Sequence, residues 1–187
     1  MSMMRTAELS GPLSGKEDID PALDVERLVV RGTDADLAAV AIRLLRKGKL
    51  QQIAVAYLPS GESEVAVRAH PDTVRTAAVT GIPLIRDDHG GVVVGSASAQ
   101  VTGATVYCDS AAVLYRDAGT VLVRPGGEGV KVTVHRRFRR TRSATGRAVQ
   151  FGCAPCRPVT DGQPHPRPLE RWSWYRHTED LRLVTAC

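Results

Sequence analysis

Between His135 and Cys156 the chain reads HRRFRRTRSATGRAVQFGCAPC, and no other stretch holds so many residue types capable of chemistry. Arg136, Arg137, Arg139, Arg140 and Arg142 surround Phe138. On an extended backbone successive side chains point to opposite faces. Arg137 and Arg139 would then share one face, with Arg136, Phe138, Arg140 and Arg142 on the other. Guanidinium forks pair with phosphate oxygens, and arginine or phenylalanine stacks on an unpaired base. Arg147 and Arg157 would widen such a groove. The segment predicts contact with nucleic-acid phosphates at low sequence specificity. Two plainer readings compete, a partner protein's acidic surface and a solvated face. Arginine is this chain's usual cation, outnumbering lysine 21 to 4.

Cys153-Ala-Pro-Cys156 follows directly. Two thiolates separated by two residues can converge on a tetrahedral ion at a turn. A zinc site would need two further ligands from His165, His177 and Cys187, which follow at irregular spacing. A thioredoxin-type redox pair requires the second cysteine to sit in a helix, and Pro158 with the prolines after it excludes one. A zinc deaminase is excluded as well, because no His-x-Glu accompanies the pair. The plainest expectation is two cysteines in a turn and no cofactor, with zinc as the candidate to test.

Trp172 and Trp174 alternate onto one face of a strand-like segment. They are expected to anchor the tail, either onto the core or onto a partner protein. Asp87-Asp88-His89-Gly90-Gly91 reads as a polar turn. No phosphate-binding glycine loop of the strand–Gly-rich–helix kind is present, and no coherent catalytic set emerges. The chemistry therefore favours a non-enzymatic binding protein. The alternative is an adaptor or assembly subunit that uses a sheet edge and the Trp-bearing tail to bind protein partners or itself.

The chain has 187 residues, a net charge of +5, 43% hydrophobic residues and only 4% aromatic ones. That suits one domain with an aliphatic core. From Lys131 onward there are 12 Lys or Arg against 4 Asp or Glu, whereas the first 130 residues carry 13 against 16. This split is what points to an anionic partner. No apolar run approaches the roughly 18 residues of a membrane span, and the first residues lack the apolar centre of an export signal. A cytoplasmic location without membrane association is expected, and with it free cysteines.

The elements that must position these residues are legible to different degrees. Residues 1–23 are Ser, Gly, Pro and acid rich and read as a disordered leader. ERLVVRG predicts a strand, and Thr33 or Asp34 caps a helix over 34–47. Its apolar stripe is Leu37, Val40, Ala41, Leu44 and Leu45, and Gly48 stops it. QQIAVAYL and EVAVRAH predict a strand pair around PSGES, DTVRTAAVT predicts a second helix closed by Gly81, and IPLIRDD predicts another strand. The order is β-α-β-β-α-β, that of a ferredoxin-like plait. Residues 89–135 hold short β-branched runs separated by small residues, with YRDAGTVLV as a tight hairpin. An antiparallel meander is expected there. APCRPVTDGQPHPRPLE, with its repeated prolines, reads as an irregular loop.

These readings combine into an α+β fold. A core over 24–135, made of the βαββαβ unit (24–88) and a β-rich segment (89–135), would be followed by an irregular basic Pro-rich tail over 136–187.

Overall fold

The computed structural model describes residues 4–127 and 129–185. It falls into two compact units, one formed by the first 82 residues with residues from Thr178 onward, the other by Pro83–His177. Among the described residues there are thirteen strands, two α-helices and one 3-10 turn. The ferredoxin-like order is not present.

In the first unit, β1 (Thr6–Ser10), β2 (Arg27–Gly32) and β3 (Ala54–Pro59) pair side by side and all parallel. The connection from β1 to β2 runs through α1 (Lys16–Ile19) and the 3-10 turn Asp20–Ala22, and that from β2 to β3 through α2 (Asp34–Arg46). Parallel neighbours need such crossovers, which is why this half alternates strand and helix. β1 lies inside the stretch that composition reads as a disordered leader. Its five residues are short and half-exposed, so little in their pattern marks a strand. Their order comes from the edge of β2, which supplies the backbone partners.

α2 forms where its pattern predicts. Thr33 caps it, its Oγ1 accepting from the Asp36 N–H while an Asp36 carboxylate oxygen accepts from the Thr33 N–H. Leu37, Val40, Ala41 and Leu44 are fully buried. Gly48, in the left-handed region at φ +63°, follows the last turn. The Asp20 carboxylate accepts from Arg43 of α2 at 2.7 and 2.8 Å and also pairs with Lys47, which ties the β1–β2 connection to the helix.

The two faces of this sheet separate by residue parity, as a period of two requires. Val29, Ala54, Ala56 and Leu58 form one cluster with Ala69, Ala77 and Val184, against which Val74 and Val79 also pack. Residues 60–78 supply that cover without regular structure. The second strand and second helix expected there are absent. In 64–70 only Val65 and Ala69 are buried, and the Ala69 N–H bonds the Tyr57 carbonyl of β3 at 2.9 Å without a ladder forming. In 71–80 the β-branched Thr73, Val74, Thr76 and Val79 disfavour helix. Only isolated turns close there, the last with Ala77 N–H bonded to Thr73 C=O at 2.8 Å. Arg27, buried in β2, fastens this turn by donating to the carbonyls of Val74 and Ala77. Gly81 lies within β4 (Val79–Asp87) rather than ending a helix.

The second unit is built from strands. β5 (Val92–Val93) pairs with the end of β4. β6 (Ala97–Cys108), β7 (Ala111–Gly126), β8 (Gly129–His135) and β9 (Arg142–Gly146) are antiparallel neighbours in chain order. β10 (Ala148–Cys156) returns to the other edge of β6, and β11 (Val159–Thr160) pairs with β6 and with β12 (Gln163–Pro164). β13 (Leu169–Val184) pairs with β10 over residues 169–175. Its last residues belong to the first unit, where Leu183 pairs parallel with Val55 of β3.

YRDAGTVLV is not a hairpin but the middle of β7, a 16-residue strand. The two-residue turn instead falls at Asp109–Ser110, with Asp109 at φ +51°. Bulges explain why β6 and β7 disguise themselves in sequence. Ala97, Ala99 and Val101 are buried at odd positions, and Ala104, Val106 and Cys108 at even ones. A register shift between Val101 and Ala104, with Gly103 at φ +61°, restores one inward face, as an extra residue must. The core is mainly Val and Ala with Phe151, Trp172 and Trp174.

The tail from 136 onward is therefore mostly strand. Its prolines are accommodated at a register-shifted stretch of β10 (Pro155), in the short β12 (Pro164) and in loops (Pro158, Pro166 and Pro168), where no ladder N–H is required.

Candidate functional site

The parallel strands of the first unit end together, with Ser10 opposite Arg31 and Gly32 opposite Pro59. Three loops leave this edge: 11–15, 32–34 and 60–65. Two buried carboxylates at the start of α2 organise them. One Asp34 oxygen accepts from the Tyr57 hydroxyl at 2.7 Å and the Ser63 hydroxyl at 2.6 Å, and the other from the Glu64 N–H at 2.9 Å. Asp36 accepts from the N–H of Leu13 at 2.6 Å, the N–H of Thr33 at 2.7 Å and the Thr33 hydroxyl at 2.8 Å. Each carboxylate thus clamps a loop that leaves a neighbouring strand. Burial, then the hydrogen bond to Asp34, pushes the Tyr57 hydroxyl well above its ordinary range, so it stays a donor.

The backbone comes very close to Asp36. A Cβ on Gly32 would meet its carboxylate at 2.5 Å, and one on Gly11 would overlap the same group. Glycine is required at both places for lack of space. Past β3 the chain runs Pro59-Ser60-Gly61-Glu62-Ser63. Ser60 N–H is held by Gly32 C=O at 2.9 Å. Arg68 reaches back to donate to the Val65 carbonyl at 2.9 Å and the Ser63 carbonyl at 2.8 Å. Between these fixed ends Gly61 is exposed, with nothing within 4 Å of where its Cβ would be. The N–H groups of Gly61 and Glu62 make no backbone hydrogen bond among the described residues. This edge was not expected as a site. The signal was available in two aspartates at the first and third helical positions, directly after a β run, with a Ser-Gly turn following the next β run.

The described residues singled out in sequence lie in the second unit and do not converge into one site. Arg136–Arg140 form the turn between β8 and β9 rather than an extended groove. Phe138 is in the left-handed region at φ +60°, and Arg139 N–H bonds Arg136 C=O at 3.4 Å. Arg142 opens β9. Arg147 follows the opposite end of that strand, where its N–H donates to Asp109, and Arg157 follows β10. Trp172 and Trp174 are stacked, with centroids 5.5 Å apart, inside the core. They hold the sheet and offer nothing to a partner.

Cys153 and Cys156 face each other with sulfurs 3.4 Å apart. Burial first, then the neighbouring Cys156, pushes the Cys153 thiol up to about 12. His165 does not join them. Its Nδ1 lies 2.7 Å from the Arg167 carbonyl, and its ring packs on His89 and Trp172. His177 lies in β13, and Cys187 lies outside the described residues. Among the described residues no group of three or more His, Cys, Asp or Glu converges as metal ligands. The Asp87–Gly91 segment is a turn, closed by Asp87 accepting from His89 and Gly91 N–H groups. No helix among the described residues is long and apolar enough to cross a membrane.

No family model matches the chain, and no curated protein matches it in sequence. Solved structures do match in three dimensions. An NAD kinase from Archaeoglobus fulgidus, crystallised in complex with ATP, is similar with a TM-score of 0.64 at 12% identity, over 97% of this chain and 94% of that one. A diacylglycerol kinase from Bacillus anthracis str. Sterne is similar with a TM-score of 0.62 at 10% identity, over 89% and 78%. The chain has the fold that these kinases share. That finding overturns the ferredoxin-like plait with its appended tail, and with it stands the correction of the non-enzymatic reading drawn from the arginine run, whether as a nucleic-acid binder or as an adaptor. The geometry agrees, because the arginine groove and the exposed tryptophans those readings needed are absent.

Proposed function

We propose that the chain is a phosphotransferase that takes a nucleoside triphosphate at the carboxyl edge of the first unit's parallel sheet. In open sheets of this kind ligands sit outside the carboxyl ends of the strands. The likeness to an ATP-bound kinase over nearly the whole chain supports a nucleotide there. The observation that carries the reading is the loop after β3. Its ends are clamped by Gly32, Asp34 and Arg68, and its apex, Gly61, is open. A glycine lets the backbone approach a phosphate closely, and unpaired N–H groups on a fixed loop bind anions without paying for reordering.

The first turn of α2 is not the phosphate cradle. Asp34 and Asp36 are buried there, and their charge opposes an anion at that helix end. Their role is to position the loops. Arg68 supplies the nearby cation. Phosphoryl transfer relies mainly on positioning and on charge stabilisation. The exposed Glu62 carboxylate, next to Gly61, is placed to accept the proton of an acceptor hydroxyl.

Calorimetric titration with ATP and a radiolabelled phosphoryl-transfer assay test this. ATP is expected to bind, Gly61→Val to weaken it at least tenfold, and Glu62→Gln to lower turnover with binding kept. A chain that binds no ATP at millimolar concentration, or a Gly61→Val variant that binds as well as the parent, would end the proposal.

A further inference from the structure

Two aromatic side chains of the second unit stand out in water, and both are paired with arginine. Phe138 is 92% exposed and Tyr115 is 62% exposed. The Arg137 guanidinium lies 4.8 Å from the Phe138 ring centroid, and that of Arg116 lies 5.4 Å from the Tyr115 ring. Phe138 and Arg116 both have positive φ, at 60° and 45°. A bulky residue seldom adopts that backbone, and here it leaves a phenyl ring almost wholly in solvent instead of folding it onto the sheet. Asp117 joins the two places, since it follows Arg116 and lies 3.8 Å from both Arg136 and Arg139. Arg136 is further fixed by donating to the Arg140 carbonyl at 3.0 Å. The side chains of Arg116, Arg137, Arg140 and Arg142 have no carboxylate partner among the described residues.

We propose that the Arg136–Arg142 turn, with Tyr115 and Arg116, docks on an anionic lipid bilayer, Phe138 entering the interface and the unpaired arginines meeting headgroup phosphates. Aromatic rings favour the boundary between headgroups and acyl chains, and clustered cations are drawn to an anionic leaflet. One apolar tip combined with a basic patch gives the two signals that reversible surface binding needs. The chain would lie on the membrane rather than span it. A single-stranded nucleic acid fits less well, because Arg137 already occupies one face of the Phe138 ring and the turn offers no flat stacking platform. The inference is independent of the nucleotide site in the other unit.

Co-sedimentation of the full chain with vesicles reads it directly. Phosphatidylcholine vesicles rich in phosphatidylglycerol should pull the protein down, pure phosphatidylcholine should not, and added salt should release it. Each of Arg137→Gln and Arg140→Gln should weaken binding about fivefold, and Phe138→Ser should weaken it further at unchanged melting temperature. Gly61→Val should leave it intact. Equal binding to neutral vesicles, full binding by Phe138→Ser or by the double Arg137→Gln/Arg140→Gln variant, or tighter binding to a single-stranded oligonucleotide than to the anionic vesicles, would overturn the proposal.

Discussion

The thiols at 153 and 156 show how a motif's chemistry depends on its backbone. In a helix N-terminus such a spacing lowers one thiol's pKa. Here Cys153 and Cys156 sit at the register-shifted end of β10, against the core of the second unit, and burial favours the neutral form of Cys153. Burial, with the neighbouring Cys156, thus keeps Cys153 as the neutral thiol at pH 8. A thiol whose folded value lies above its ordinary 9.0 favours folding below that value, and the contribution is lost as pH rises towards 12. Alkylation with iodoacetamide at pH 8, read by peptide mass spectrometry, should leave Cys153 unmodified on the native protein and modify it after unfolding. Fast native alkylation of Cys153 would contradict the geometry.

At the scale of elements, the junction of β2 with α2 is the best-determined feature of the chain. A capping threonine, a helical stripe and a terminal glycine agree with one another, so local preference and tertiary packing point the same way. The two loop clamps belong to this junction. Gly32→Ala would drive a methyl group into the Asp36 carboxylate and should cost about 2 kcal/mol or more, measured by urea denaturation. A neutral result would mean that Asp36 can move aside. Acid should act on the same layer. The Asp20 carboxyl is raised by burial, but Arg43 and Lys47 outweigh this and hold it below its ordinary 3.8. The tie it makes is present above that value and lost as pH falls below it. Elements that rest on one strand's periodicity fared worse. β6 and β7 change parity at their bulges, the 60–78 segment packs without repeating, and β1 has too few residues to show a pattern.

At the scale of the molecule, the chain is not divisible in sequence order. β4 and β13 each contribute to both units, and the closing residues complete the sheet that the opening residues begin. Removing residues 178–187 takes away Leu181, Leu183 and Val184, all fully buried. The helical circular dichroism, which comes from the first unit, should fall sharply. Emission from Trp172 and Trp174, held in the second unit, should change less. Loss of both signals together would show that the second unit also requires those residues.

Much of the local structure was legible because it is set by near neighbours. The α2 boundaries follow from Thr33, the apolar spacing and Gly48, and the Val- and Thr-rich runs follow from β-branched side chains. The sequence also established an aliphatic core, the split in charge and the absence of a long apolar run. Partnership across distance was not legible. Nothing local in Thr6–Ser10 states that it pairs with Arg27–Arg31, and nothing in Leu169–Tyr175 states that it pairs with β10. Phe138 reads as part of an extended basic face until a left-handed residue turns it outward. Asp34 reads as a candidate cap and Asp36 as an ordinary first-turn residue until Leu13, Tyr57 and Ser63 reach them from elsewhere in the chain. Local preferences act over a few residues. The site at the edge of the parallel sheet exists only where backbones far apart in sequence are brought within hydrogen-bonding distance.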